Sequence, residues 1–89
     1  MKIYVILNEG LYLRIPRTVT LEGIEPSDSI HSVKTKIEAT EGIPPAEQVL
    51  YFDGQVLGDD KTLSDFNITD DVVLNCLVLE NKAEAEDKK

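Results

Sequence analysis

Residues 2 to 7, Lys-Ile-Tyr-Val-Ile-Leu, are almost all β-branched, aromatic or leucine. Such a run suits a strand, and Asn8-Glu9-Gly10 then supplies turn residues tolerant of positive φ. Leu11 to Ile15 extend the hairpin, Pro16 interrupts it, and Thr18-Val19-Thr20-Leu21 resumes strand alternation. Farther on the period changes. Ile30, Val33, Ile37 and the aliphatic stem of Lys34 recur at helical spacing, so they share one face of a helix. Ser29 fits its N-cap and Gly42 its C-cap, and Pro44-Pro45 prevent continuation. Glu47 to Phe52 then reads as a strand, Asp53-Gly54 as a turn, Gln55-Val56-Leu57 as a short strand, and Val72 to Leu79 as the last and longest one.

The predicted order is therefore β, β, α, β, β, β, an α+β chain in which a lone amphipathic helix packs across one face of a sheet. Alternation assigns the faces. Ile3, Val5 and Leu7 point to the helix in the first strand, which leaves Tyr4 and Ile6 pointing away. Gln48, Leu50 and Phe52 share a face opposite Val49 and Tyr51, and Leu74, Cys76 and Val78 share one opposite Val73, Asn75, Leu77 and Leu79. A single helix covers only one side. Tyr4, Ile6, Val49, Tyr51, Leu77 and Leu79 are accordingly expected on the outside, and contiguous exposed apolar surface marks an interaction site.

Composition narrows the function classes. Eighty-nine residues allow one domain, expected over 1–79, because residues 80–89 hold no apolar side chain larger than alanine and read as a charged, disordered tail or the start of a linker. The formal charge of −8 argues against nucleic acid and anionic membranes as partners. No run approaches the roughly 18 to 20 apolar residues of a membrane span. The single Cys76 has no disulfide partner within the chain, which suits a reducing compartment and a cytoplasmic or nuclear location.

Chemistry is poorly represented. Cys76 lies in phase with Leu74 and Val78, so it reads as a small core residue, and His31 falls off the helix stripe and faces solvent. Asp59-Asp60 and Asp70-Asp71 read as turn residues without calcium-loop spacing, and no glycine cluster cradles phosphate. No catalytic residue, metal site or cofactor is expected, and the chain is not expected to be an enzyme. Lys34 is different. Its stem on the packed helix face calls for an anionic partner, since an unpaired buried ammonium is costly.

Gly42-Ile43-Pro44-Pro45, Leu63-Ser64-Asp65-Phe66-Asn67-Ile68, Met1-Lys2-Ile3-Tyr4-Val5, Thr18-Val19-Thr20-Leu21-Glu22 and Glu25-Pro26-Ser27-Asp28-Ser29-Ile30 together resemble the ubiquitin-like family over roughly residues 1 to 79. The resemblance implies a β-grasp fold, order ββαβ(β)β, with a first hairpin elongated by about six residues. One more residue at Gly23-Ile24 is expected to be absorbed in a bulge. It also implies that Asp59 is the partner of Lys34, and that recognition centres on the outer sheet face. There Tyr51 stands for the family's central isoleucine, Leu77 for its valine and Asn75 for its histidine.

Conjugation in this family needs a C-terminal Gly-Gly, which the residues after Leu79 do not contain, and the tail arginines are replaced by Leu79 and Asn81. Two well-used linkage lysines fall at Gln55 and Asp70, while Lys34 and Lys36 stay in register. The expected function is thus a non-conjugated, monomeric protein-interaction domain. Its partners would be proteins such as ubiquitin-pathway receptors, proteasome or chaperone components. Two alternatives stay open: a divergent covalent modifier, and a structural adapter whose patch is covered by the inserted Leu11–Pro16 segment.

Overall fold

The computed structural model describes residues 1–8 and 15–79. Its elements are β1 (Ile3–Asn8), β2 (Arg17–Leu21), α1 (Ile30–Glu41), β3 (Gln48–Phe52), β4 (Gln55–Val56) and β5 (Val73–Val78), with short 3-10 helices at Pro45–Glu47 and Ser64–Phe66. Most of the expected hairpin insertion and the whole charged segment 80–89 lie outside the described residues.

Local chemistry explains the helix ends. The Ser29 hydroxyl accepts a bond from the Ser32 N–H at 3.1 Å, satisfying one of the otherwise unpaired donors of the first turn. At the other end Gly42 sits at φ 78°, where its N–H donates to the Glu38 carbonyl at 2.8 Å. A left-handed C-cap of this kind favours glycine. The proline pair then delays the next strand. Glu47 is drawn into a 3-10 turn, donating its N–H to the Pro44 carbonyl at 2.9 Å, so β3 begins at Gln48 rather than at Glu47.

The five strands form one mixed sheet in the order β2-β1-β5-β3-β4. β1 and β5 run parallel at its centre, and the other neighbours are antiparallel. This is the α+β, β-grasp architecture. Strand ends differ slightly from the sequence reading: Asn8 belongs to β1 and pairs with Leu77 instead of opening the turn, and β5 has six residues, the same length as β1. Beside β2 the ladder takes in one extra residue. Ile3 pairs with Leu21, yet Met1 exchanges bonds with Ile24 in both directions, at 2.7 and 3.1 Å, with Gly23 at φ 73° between them. Three residues on one side thus span two on the other, which is a bulge.

One side of the sheet carries the core. Ile3, Val5 and Leu7 from β1, Val19 and Leu21 from β2, Leu50 from β3 and Leu74, Cys76 and Val78 from β5 are buried against Ile30, Val33 and Ile37 of α1. Each such aliphatic side chain contributes roughly 1.5–3 kcal/mol through burial. Leu57, Leu63 and Ile68 close the core from below, in a loop laced to the start of α1 by Ile30 N–H to Lys61 O at 2.8 Å and Leu63 N–H to Asp28 O at 3.1 Å. Among the described residues, Gln48 is the one uncharged polar side chain within this core. Its Nε2 donates to the carbonyls of Lys34 and Ile43, both at 2.9 Å, tying the helix and its exit to β3.

Candidate functional site

With the helix on one side, the opposite side of the sheet is bare among the described residues. The burial alternation of β1, buried at Ile3, Val5 and Leu7 and half-buried at Tyr4, Ile6 and Asn8, fixes which side chains point outward. Strand register then sorts them into rows. The central row runs Thr18, Ile6, Asn75, Tyr51 and Val56 across all five strands. Beside it on one side stand Asn8, Leu77 and Val49, and on the other Thr20, Tyr4 and Val73.

Six of the seven residues expected on this face from sequence fall into these rows, and the register brings five of them into adjacent positions. Ile6 lies opposite Asn75, which lies opposite Tyr51; Leu77 lies opposite Val49. Tyr4 is one row away, paired with Val73. Leu79 follows the end of β5, 40% exposed, and donates its N–H to the Glu47 carbonyl at 2.8 Å, so it borders the same edge of β3. Asn8, Tyr51, Gly54, Asn75 and Leu77 line a shallow open depression of about 420 Å³.

Five members of the face were not among the expected site residues: Thr18 and Thr20 of β2, together with Val73, Val56 and Asn8. Val73, 46% exposed, follows from extending the Leu77–Asn75 alternation back to the strand start. Val56, 60% exposed, requires the hairpin register that sets it opposite Tyr51. Asn8 was hidden by its turn-forming chemistry, which proved secondary to its pairing with Leu77.

The remaining candidates lie elsewhere. Lys34, on the buried face of α1, places Nζ 2.6 Å from Asp59 Oδ1, and His31 Nδ1 stands 3.8 Å from Asp59 Oδ2. This cluster is on the helix side of the sheet, where Asp59 also accepts the His31 N–H at its backbone carbonyl. Cys76 is fully buried, and burial raises its thiol pKa to about 11, the reverse of what a nucleophile needs. Asp70 accepts the Lys2 backbone N–H at 2.7 Å, and Asp71 occupies a left-handed turn position at φ 65°. Among the described residues no group of three His, Cys, Asp or Glu side chains is arranged to hold a metal ion, and no helix is long and apolar enough to cross a membrane.

The comparisons with known proteins agree with this architecture. Residues 14–81 match the model of the ubiquitin family. The chain is similar to ubiquitin-like protein NEDD8 of Dictyostelium discoideum, 42% identical over 55 residues that make up 62% of this chain and 71% of that protein. NEDD8-like protein RUB3 of Arabidopsis thaliana is 38% identical over 55 residues, 62% of this chain and 70% of that protein. AN1-type zinc finger protein 4 of Mus musculus is 36% identical over 55 residues, again 62% of this chain but only 7% of that protein. A match reaching from before β2 to beyond β5, on a mixed sheet backed by one helix, means that the chain belongs to the ubiquitin family.

Proposed function

We propose that this chain is a protein-binding domain of the ubiquitin family that docks its partners on the outer face of the sheet and is not itself conjugated. One observation carries the reading: Ile6, Val49, Tyr51 and Leu77 form adjoining apolar positions left half-exposed on a sheet whose other side carries the buried core. Contiguous apolar surface of this kind on a small domain is costly in water unless a partner covers it. Tyr51 at its centre offers a large apolar ring with a polar tip, a residue type enriched where interfaces concentrate their energy.

A binding role without catalysis is supported by the high pKa of the buried thiol, the reverse of what a nucleophile needs. The non-conjugated role is supported by the sequence after β5, Leu79-Glu80-Asn81-Lys82-Ala83, where the family's Gly-Gly would be expected. Similarity to a small portion of a much larger zinc-finger protein supports use as a recognition module. Ubiquitin-pathway receptors and proteasome or chaperone components, in the cytoplasm or nucleus, are the partners this reading favours. Lys34 and Asp59 serve the scaffold as an ion pair and take no part in docking.

A divergent covalent modifier is the second reading, favoured by similarity spanning 71% of the Dictyostelium NEDD8. Incubating the protein with ubiquitin-type activating enzymes and ATP separates the two. The proposed role predicts no thioester on a non-reducing gel; an adduct removed by thiol would establish the modifier instead.

A further inference from the structure

We infer that the partner taken by this face is an apolar protein surface edged with basic side chains, an inference that rests on the docking role proposed above. In a chain of net charge −8, none of the side chains in the three outward rows is charged. The charges lie at the margins. Glu22 follows β2, Glu47 precedes β3 and accepts the Leu79 N–H at its carbonyl, and Asp53 forms the turn between Tyr51 and Val56. Asp70 and Asp71 close the end beside Tyr4 and Val73, each bonded to the Lys2 backbone at 2.7 Å.

Cations among the described residues do not balance this rim. Among the described residues, Lys2 alone reaches the outer face, with Nζ 5.7 Å from the centre of the Tyr4 ring. Tyr4 first, and then Glu22 and Asp71, hold its pKa up, so those two carboxylates are close by. Arg17 reaches the opposite way to Glu41 at 2.9 Å, Lys34 meets Asp59, and Lys36 and Lys61 belong to the helix and the loop at its start. The described residues therefore give this face a neutral apolar centre within an acidic margin.

Such a field steers basic-edged surfaces in and turns acidic ones away, most strongly at low ionic strength. A second copy of this chain would set margin against margin, like charge against like. The same repulsion applies to nucleic acid and anionic lipid. The occupant that fits both features is a protein surface with an aliphatic centre and Lys or Arg around it.

Two synthetic amphipathic helical peptides with the same Ile/Leu stripe, one flanked by Lys and one by Glu, serve as probes. Each is titrated into the isotope-labelled full chain while the amides of Ile6, Tyr51, Asn75 and Leu77 are followed. At about 0.01 M salt the Lys-flanked peptide is expected to bind at least about tenfold more tightly, with the gap shrinking at about 0.15 M and in a Glu22→Lys/Glu47→Lys variant. Equal binding, or preference for the Glu-flanked peptide, overturns the basic-edged partner while leaving the docking face intact. Shifts confined to α1, or none from either peptide at millimolar concentration, overturn the docking face itself. Concentration-dependent shifts of these amides without peptide would assign the face to self-association and overturn the inference.

Discussion

Lys34 Nζ lies 2.6 Å from Asp59 Oδ1, yet only 9% of the lysine side chain is exposed against 54% of the aspartate. The two halves of this ion pair are therefore unequal. Removing the carboxylate strands a buried ammonium, whereas removing the ammonium leaves a carboxylate in water beside His31. Asp59→Asn is expected to cost about 1–2 kcal/mol in urea unfolding and Lys34→Met less than about 1 kcal/mol, since solvent at Asp59 weakens the pair. In the cycle of Lys34→Met with Asp59→Leu the losses should fail to add by about 1 kcal/mol; simple additivity would show that the pair is uncoupled.

Leu50 and Tyr51 are chain neighbours on opposite faces of β3, and they should respond differently to truncation. Leu50 is fully buried, so Leu50→Ala is expected to cost about 2–5 kcal/mol. Tyr51 is half-exposed on the outer face, and Tyr51→Ala should cost roughly 1 kcal/mol. Similar losses at the two sites in chemical denaturation would contradict the assignment of inner and outer faces.

Gly42 ends the helix at φ 78°, where an added Cβ would meet nothing within 4 Å. The penalty of Gly42→Ala is then one of backbone conformation alone, about 1–2 kcal/mol. Thermal unfolding measures it. A neutral result would mean that the helix end relaxes to another conformation at no cost.

The Cys76 thiol gives a pH dependence. Its pKa is raised from 9.0 to about 11 by burial, so the native chain retains a proton that the unfolded chain loses first. The contribution to stability is complete below about pH 9 and is lost as the pH climbs toward 11. Unfolding free energy measured across this range should fall more steeply for the wild type than for Cys76→Ala. The native thiol should also resist a disulfide reagent at pH 8 and react once urea is added; rapid native reaction would place it outside the core.

Much of this fold is legible in the residues because local and tertiary demands coincide. Ser29, the Ile30–Val33–Ile37 stripe, Gly42 and Pro44 all specify the same helix, and period-two alternation in β1, β3 and β5 separates core from outer face. The limits of β3 were less legible, since Glu47 answers to the turn set by Pro44 and Pro45 before it answers to the sheet. Gln48 shows where pattern alone stops. Alternation puts it on the inner face, but its bonds to Lys34 and Ile43 depend on where α1 ends in space. The outer sheet face was readable as a set of residues and not as a surface. Its rows, and the membership of Val56 and Asn8, arise from register between strands distant in sequence.

The central claim is that partners dock on the outer sheet face, and a comparison of matched variants tests it most directly. Wild type, Tyr51→Ala/Leu77→Ala on that face and His31→Ala/Lys36→Ala on the helix side are immobilised at equal density, after circular dichroism has shown all three folded. Proteins recovered by the wild type are then identified and titrated against each one. The account predicts that the Tyr51/Leu77 variant loses at least about tenfold in affinity while the helix-side variant stays within about twofold of wild type. Unchanged affinity in the Tyr51/Leu77 variant, or a loss confined to the helix-side variant, would contradict it.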